Sequence, residues 1–336
     1  MIGDYQVVTR LGGGAMAELF LAHKMSRFGF IRRAVVKRVK RSRPDYKQLQ
    51  EMLLDEARAT ACFDHPNLVS MFDVGETEHG VYLALEYVEG SDLRRVNAKL
   101  RSRKEALPFE LAAFIAVEVL RGLHHAHTSK DQEGRSLEIV HRDVNPENLM
   151  VGFDGVTKLL DFGVAAAATE RKHKTEAGNL KGKFAYISPE QYQGQPLDGR
   201  SDVFSLGVSL YEALTGQSLY ERANEYETVA AIVLDPAVPS VRATNPAVPP
   251  ELDVIVQTAL AKERDERYES ADAMQAALLT FAAREGHHAR HADVAAVLRE
   301  LVPDLVDAEP SLDRRATTVS GGWPAQTPAP RERTAS

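Results

Sequence analysis

A short segment near the middle of the chain carries the side chains best suited to chemistry. Asp143 lies five residues before Asn148 in the stretch HRDVNPENLM. The strand-like runs LMVG and VTKLL flank the turn FDG, so they predict a hairpin that brings Asp161 back beside Asn148. Mg²⁺ prefers such carboxylate and amide oxygens, and Asp143 is placed to accept a proton from a hydroxyl. Each acid alone is typical of a surface turn, but together they predict a metal site beside a general base.

A strand lysine and a helix glutamate form a second candidate pair. Lys37 ends the strand-like run AVVK, where alternation leaves its side chain either solvated or directed at a partner. After Pro44 the spacing predicts a helix with one buried face. That face is formed by Leu49, Met52, Leu53, Glu56, Ala57 and Thr60. Because a carboxylate on a buried face needs a partner to offset its desolvation, we predict an ion pair between Lys37 and Glu56.

The stretch LGGGAMAEL, residues 11–19, joins two strand-like runs. Its glycines would let backbone N–H groups approach phosphate oxygens that a Cβ would keep away. The same run is also typical of a flexible hairpin turn, and it lacks the G-K-[ST] ending of a P-loop. By itself it therefore leaves both interpretations open.

These residues lie in two parts of the chain that differ in predicted secondary structure. Up to about residue 88 the sequence consists of short apolar or β-branched runs around one helix. Beyond that point the periodicity is helical, as in SDVFSLGVSLYEALTG. We predict an α+β, two-lobed fold with a small β-rich N-terminal lobe (residues 1–88) and a larger, mostly α-helical C-terminal lobe (residues 89–305). Residues 306–336 are rich in Pro, Ser, Thr and Ala, which predicts a disordered tail.

Composition limits the classes of function. The 336 residues include 41 Lys plus Arg and 48 Asp plus Glu, a formal charge of −7, so no general basic field attracts nucleic acid. The N-terminus lacks a signal-peptide pattern and no apolar run approaches about 18 residues, so we expect no membrane segment in this chain. Cys62 is the single cysteine, which suits a reducing cytoplasm, and we expect it to be buried as a small hydrophobe.

The chain resembles the bacterial eukaryotic-like serine/threonine protein kinases in the order of its motifs. These motifs are the Gly-rich loop, the strand Lys, the helix Glu, HRDxxxxN, DFG and PE. The resemblance extends over about residues 5 to 300. It implies a bilobal protein-kinase-like fold and transfer of the γ-phosphoryl group of ATP, with Mg²⁺ or Mn²⁺ as the metal, to Ser/Thr hydroxyls of protein substrates. These substrates include the chain itself, through a transient dimer.

The resemblance also assigns roles around the nucleotide. Lys37 would hold the α and β phosphates, Asn148 and Asp161 would bind the metal, and Asp143 would orient the substrate hydroxyl. Ala17 stands where a third glycine of the phosphate loop is usual. The remaining residues expected around ATP are Leu11, Gly12, Gly14, Leu19, Ala34, Glu56, Leu85, Glu86, Val88, Asp92 and Met150.

Further positions are implied to support or regulate the site. Glu190 in SPEQ would pair with Arg267, and Asp202 in SDVFSLG would brace the catalytic loop through backbone N–H bonds. Thr175, midway between Asp161 and Ser188, is the expected activation phosphosite. Thr317 and Thr318 in the tail are secondary candidates for phosphorylation.

Two positions depart from the family pattern. Asn145 stands where the family carries a Lys that neutralises γ-phosphate charge, and Lys183 stands where it carries a Thr. Because the family's Thr contacts both the catalytic Asp and the Lys, positions 145 and 183 should face each other. We therefore count Lys183 among the catalytic residues, with its ammonium moved into the space beside Asp143. The alternatives are a slower enzyme or one that relies more on Mg²⁺.

Two other classes of function compete with a protein kinase. A pseudokinase, which would bind nucleotide or partners without catalysis, would explain Asn145 and Ala17. The retention of Lys37, Asp143 and Asp161 favours an enzyme. A small-molecule phosphotransferase would not need the stretch GKFAYISPEQ, which resembles a platform for a peptide substrate.

Overall fold

The computed structural model describes residues 1–13, 17–131, 133–162, 183–235 and 237–307. The predictions for Gly14, Thr175, Thr317 and Thr318, and for the tail beyond residue 307, concern residues outside this description. The side chain of Lys183 lies outside it as well.

An antiparallel sheet forms the N-terminal part, with strand order β1-β2-β3-β5-β4. Its strands are β1 (Tyr5–Gly13), β2 (Glu18–Met25), β3 (Ile31–Arg38), β4 (Met71–Thr77) and β5 (Gly80–Glu86). Helix α1 (Tyr46–Thr60) packs against β4 and β5. The central position of β3, between β2 and β5, holds Lys37 in a strand that is hydrogen-bonded on both sides.

Helix α1 buries the six residues that the sequence predicted, and the prediction of this face is confirmed. Leu49, Met52, Leu53 and Ala57 belong to one apolar cluster with residues of β5. The hydroxyl of Thr60 donates to the carbonyl of Glu56 at the end of the helix. Glu56 shares this face and is only 5% exposed. The helix therefore carries one carboxylate into an apolar environment.

Strand pairing changes between Glu86 and Gly90. Strand β6 (Gly90–Asp92) pairs with β7 (Leu149–Gly152), which pairs in turn with β8 (Thr157–Leu159). The predicted hairpin of LMVG and VTKLL is thus present. Gly90 is required here, because a Cβ at this position would lie 2.0 Å from the carbonyl oxygen of Val151.

The C-terminal part is mostly helical. Its helices are α2 (Leu93–Ser102), α3 (Phe109–His127), α4 (Pro189–Tyr192), α5 (Gly199–Thr215), α6 (Glu225–Leu234), α7 (Val241–Thr244), α8 (Pro250–Ala259), α9 (Ala271–Glu285), α10 (His291–Leu301) and α11 (Pro303–Asp307), with 3₁₀ turns at Lys183–Tyr186 and Arg264–Glu266. Helix α5 is buried over nearly its whole length. It begins at the capping side chain of Asp198 and ends at Gly216, whose φ of +68° suits glycine. A nearly apolar helix of this kind is the centre of the C-terminal core.

Of the last two helices, α10 packs against α2 and α11 packs against β6. Val294, Leu298 and Leu301 of α10 are buried. Arg299 donates to the carbonyl oxygen of Phe153 at 2.6 Å, and Asp304 of α11 forms an ion pair with Arg95 of α2. Helix α11 extends to Asp307, two residues beyond the boundary expected for the tail.

Two surface features differ from a simple alternation of buried and exposed residues. The β2–β3 turn presents Phe28 and Phe30, which are 88% and 75% exposed. Backbone N–H groups of both residues donate to the hydroxyl of Ser26, so the turn has a defined shape.

Cys62 is exposed, and the expectation that it is buried was wrong, because α1 ends at Thr60 and Phe63 takes the next inward position.

In the described ranges, none of the helices combines the length and the apolar character needed to cross a lipid bilayer.

Candidate active site

Lys37 contacts carboxylates from two other elements. Its Nζ lies 2.9 Å from both oxygens of Glu56, so the predicted ion pair is present. The same Nζ lies 3.1 Å from Oδ1 of Asp161. The side chains of Lys37 and Glu56 are 14% and 6% exposed. One ammonium therefore joins strand β3, helix α1 and the segment after β8.

Burial and the neighbouring charges shift the pKa values of both Lys37 and Glu56. Burial alone would lower the pKa of Lys37, but the carboxylates of Asp161 and Glu56 outweigh burial and raise the pKa above its usual value. Burial raises the pKa of the Glu56 carboxyl, and the Asp161 carboxylate adds to the rise, whereas Lys37 opposes it. Lys37 is thus a fixed cation shared by two carboxylates that repel each other.

The Asp143 carboxylate is held on both sides by amide groups. Nδ2 of Asn145 donates to Oδ1 of Asp143 at 2.8 Å, and Nδ2 of Asn148 donates to Oδ2 at 2.9 Å. Both amides also donate to the backbone carbonyl of Asp143, at 2.9 and 2.7 Å. Asn145, which departs from the family pattern, is therefore in direct contact with the expected base.

Asp202 of α5 fixes the backbone that precedes Asp143. It is fully buried, and it accepts the backbone N–H groups of His141 at 2.8 Å and Arg142 at 2.9 Å. The predicted bracing of the catalytic loop is confirmed. The sequence did not predict the third partner, His127, whose Nε2 lies 2.7 Å from Oδ2 of Asp202. Burial would raise the pKa of Asp202, but the interactions with His127 and His141 outweigh it and lower the pKa.

Two residues of the site adopt left-handed backbone conformations. Arg142 has a φ of +67° and Asp161 a φ of +44°. Non-glycine residues hold such conformations only where surrounding contacts enforce them. At Arg142 the enforcing contacts are the N–H bond to Asp202 and a hydrogen bond from Nε2 of Gln191 to the Arg142 carbonyl at 2.9 Å.

The β7–β8 hairpin brings Asn148 and Asp161 to the same end. The N–H of Leu160 donates to the carbonyl of Asn148 at 2.9 Å. Because Nδ2 of Asn148 is committed to Asp143, its Oδ1 is the atom left to accept a cation. One carboxylate and one amide oxygen are a donor set that fits Mg²⁺ when phosphate and water oxygens complete the coordination.

A row of tilted aromatic rings extends from the catalytic loop to the segment after α1. The Phe162 ring lies 4.5 Å from the His141 ring and 4.7 Å from the Phe63 ring. Burial lowers the pKa of His141. Its Nδ1 accepts the backbone N–H of Asp143 at 3.2 Å, so Nε2 carries the hydrogen and donates to the carbonyl of Leu160 at 2.8 Å. His141 belongs to the HRD motif and Phe162 to the DFG motif, but the contact between their rings is seen only in the folded structure.

The residues expected around the nucleotide differ in their burial and in their partners in the sheets. Ala34 is fully buried and faces Glu86 across β3 and β5, while Leu19 faces Lys37 across β2 and β3. A Cβ added to Gly12 would meet no atom within 4 Å, so the space beside it is open. Leu85 is buried and Val88 half-buried, Met150 faces Asp92 across β6 and β7, and Leu11 is 47% exposed. Oδ1 of Asp92 already accepts the N–H of Arg95 at 2.8 Å as the cap of α2.

Comparison with known proteins agrees with this architecture. Residues 5–279 match the family model described as the protein kinase domain. The chain belongs to the protein kinase family.

Several curated kinases are similar to it in sequence. The tyrosine-protein kinase MasK of Myxococcus xanthus is 37% identical over 279 residues, which cover 83% of this chain and 43% of the relative. The serine/threonine-protein kinase PrkC of Bacillus subtilis is 34% identical and is matched over 83% of this chain and 40% of its own length. The chain thus spans about two-fifths of the length of these kinases.

Solved kinase structures share the fold. The kinase domain of PknI from Mycobacterium tuberculosis superposes with a TM-score of 0.61 at 25% identity, covering 84% of this chain and 97% of that one. Helices α10 and α11 lie beyond residue 279, where the family match ends.

A buried ion pair supports the C-terminal lobe of the kinase beneath the site. Arg267 donates to both oxygens of Glu190, at 2.7 and 2.8 Å, and the predicted pairing is confirmed. Ser201 donates to Glu190 at 2.7 Å, and the guanidinium lies over the Phe204 ring at 4.8 Å. Burial alone would raise the pKa of Glu190, but the hydrogen bonds from Arg267 and Ser201 lower it below its ordinary value of 4.5.

Replacing Glu190 with Gln should destabilise the kinase by about 3–5 kcal/mol at pH 7, because Arg267 would keep a buried charge without a counter-ion. The folded pKa of Glu190 is lower than its ordinary value of 4.5, so its stabilisation is complete above that value and is lost as the pH falls through the folded pKa. Urea unfolding from pH 7 downward should show the difference between wild type and E190Q narrowing below about pH 4. E251Q is the control, since the exposed Glu251–Arg284 pair should contribute less than about 1 kcal/mol. Equal stability of E190Q and wild type at pH 7 would contradict this account.

Proposed function

We propose that this kinase transfers the γ-phosphoryl group of MgATP to Ser/Thr hydroxyls of protein substrates, including a second copy of itself. The observation that carries the proposal is the three-way contact of Lys37 with Glu56 and Asp161. A buried lysine held by a helix carboxylate beside a candidate metal ligand is an arrangement suited to the phosphates of a nucleotide.

The roles follow from the donor chemistry. Lys37 holds phosphate oxygens, and Asn148 and Asp161 hold Mg²⁺, with Mn²⁺ as a substitute. The metal, when bound, neutralises charge on the phosphates. The open space beside Gly12 admits phosphate oxygens next to backbone N–H groups, and Gly14 is assigned the same role. The residues assigned to the base and ribose are Leu11, Leu19, Ala34, Leu85, Glu86, Val88, Asp92 and Met150.

Asp143 acts on the substrate hydroxyl. As the hydroxyl oxygen bonds to the γ-phosphorus, the bond from that phosphorus to the bridging oxygen of ADP breaks, and the hydroxyl proton passes to Asp143. The clamp by Asn145 and Asn148 fixes where this carboxylate points. Positioning and fixed charge are the main sources of rate in such transfers.

The hydroxyl that accepts the phosphoryl group is assigned as Ser/Thr because the loop NPEN lacks the Arg-containing sequence of tyrosine kinases. The similarity to MasK makes tyrosine the second candidate. Analysis of phosphoamino acids after labelling a generic protein substrate separates the two.

We assign the kinase to the cytoplasm, where ATP and Mg²⁺ are available and where the exposed thiol of Cys62 stays reduced.

Replacing Lys37 with Met or Asp161 with Asn should lower transfer by several orders of magnitude, since each removes a charge that acts on the transition state. Asn tolerates the left-handed backbone at position 161, so D161N tests charge rather than conformation. The measurement is ³²P transfer from ATP to a generic basic protein. Near-normal turnover in either variant would contradict the roles assigned to Lys37 and Asp161, whereas no transfer by the wild type would favour a pseudokinase.

Thr175 should become phosphorylated in trans when the kinase is active, because it lies in the basic stretch RKHKTEAGNLKGK where a phosphate can meet cations. Active kinase mixed with the K37M variant should phosphorylate Thr175 of the inactive partner, detected by mass spectrometry. T169A is the matched control and should keep activity, while T175A should lose most of it. Phosphate found only at other sites, with T175A fully active, would contradict the assignment.

Lys183 is proposed to supply the cation that the family places at position 145. Removing it in K183A should lower kcat by about 10²-fold or more, as loss of one fixed charge does at such sites, with the KM for ATP less affected. Steady-state kinetics at saturating ATP provide the measurement, with K181A as the neighbouring control. Unchanged kcat in a folded K183A variant would mean that the charge has not moved to this residue.

A further inference from the structure

Asn145 is buried in the catalytic loop, with 2% of its surface exposed. Its Nδ2 donates to the carbonyl oxygen of Asp143 at 2.9 Å and to the carboxylate Oδ1 at 2.8 Å. Its Oδ1 accepts the backbone N–H of Glu147 at 3.0 Å. The side chain thus spans the loop from the expected base to the residue before Asn148.

The direction of this amide is fixed by chemistry. A backbone N–H can only donate, so the atom that faces Glu147 must be the amide oxygen. The NH₂ group must therefore point at Asp143, whose carboxylate oxygens accept. Of the two carboxylate oxygens, Oδ1 receives Asn145 and Oδ2 receives Asn148.

A carboxylate held by a donor on each oxygen has little freedom to rotate. Rotation about its terminal torsion would break both bonds at once. Small errors in the position of a catalytic group reduce rates severely, because reacting atoms must be aligned within fractions of an ångström. A neutral amide supplies this alignment without adding a charge to the loop.

We propose that Asn145 is a positioning residue for phosphoryl transfer, which acts by donating a hydrogen bond that orients the Asp143 carboxylate. The proposal rests on the proposed function. It assigns to position 145 an orienting role that is separate from the neutralisation of phosphate charge.

The competing explanation is that Asn145 only shapes the turn. Its bond to the N–H two residues later is an Asx turn, which an aspartate forms equally well. Three variants separate the two roles because each keeps a different half of the amide. N145D keeps the acceptor for Glu147 and loses the donor to Asp143. N145K keeps a donor and has no acceptor, and N145A has neither.

If Asn145 positions Asp143, kcat should fall about 10²-fold or more in N145D and at least about 10-fold in N145A, and should stay within about 5-fold of wild type in N145K. The KM for ATP should change by less than about 3-fold throughout. A turn-shaping role predicts the reverse order, with N145D near wild type and N145K as poor as N145A. That reverse order would overturn the proposal.

Stability is followed by thermal unfolding of each variant. N97A is the matched control, because Asn97 of α2 is equally buried and neither atom of its amide has a partner among the described residues; its kcat should be unchanged. If N145D fails to fold, N145A and N145K decide the outcome, and equal losses in both overturn the proposal. A wild type without transfer activity would overturn the proposed function and this inference together, whereas an active wild type with a fully active N145D would overturn the inference alone.

Discussion

The protein depends on the sharing of one buried cation between two carboxylates. Lys37 belongs to β3, Glu56 to α1 and Asp161 to the segment after β8, so the contact holds three separate elements to one point. Glu56 lies on an otherwise apolar helix face, where an unpaired carboxylate would cost several kcal/mol. The positions of α1 and of Asp161 are therefore coupled, because moving either one would take a carboxylate away from the Lys37 ammonium.

The catalytic loop is held by buried side chains of the helical core. Asp202 extends from the buried helix α5 to two successive backbone N–H groups of the loop, and the Glu190–Arg267 pair anchors the start of the same helix region. These buried polar groups are stabilising because each has several partners. The bond from Asp202 helps to hold Arg142 in a left-handed conformation that few residues adopt, whereas Asp161, which is also left-handed, is in contact with Lys37.

The sequence was informative where a local period or a motif determines the contact. The buried face of α1, the β7–β8 hairpin and the Lys37–Glu56 pair could be predicted in this way. The Glu190–Arg267 pair joins residues 77 positions apart and was implied only by the family resemblance. The exposure of Cys62 could not, since apolar character alone does not show where a helix ends. The contact of His127 with Asp202 joins residues 75 positions apart, and no local pattern encodes it. The two-sided clamp on Asp143 was also missed, because Asn145 was read as the loss of a charge rather than as the gain of a donor. The roles assigned to the residues around ATP and the metal, and those of Thr175 and Lys183, stay predictions.

The β2–β3 turn has a consequence for how the protein behaves at high concentration. The side chains of Phe28 and Phe30 are largely exposed to solvent, and Met25 and Ile31 beside them are 62% and 48% exposed. The Ser26 hydrogen bonds prevent the turn from collapsing to hide these groups. Apolar surface that cannot be buried within one molecule is buried between molecules when they are crowded. Self-association of concentrated samples should therefore begin at this turn, through the side chains of Met25, Phe28, Phe30 and Ile31.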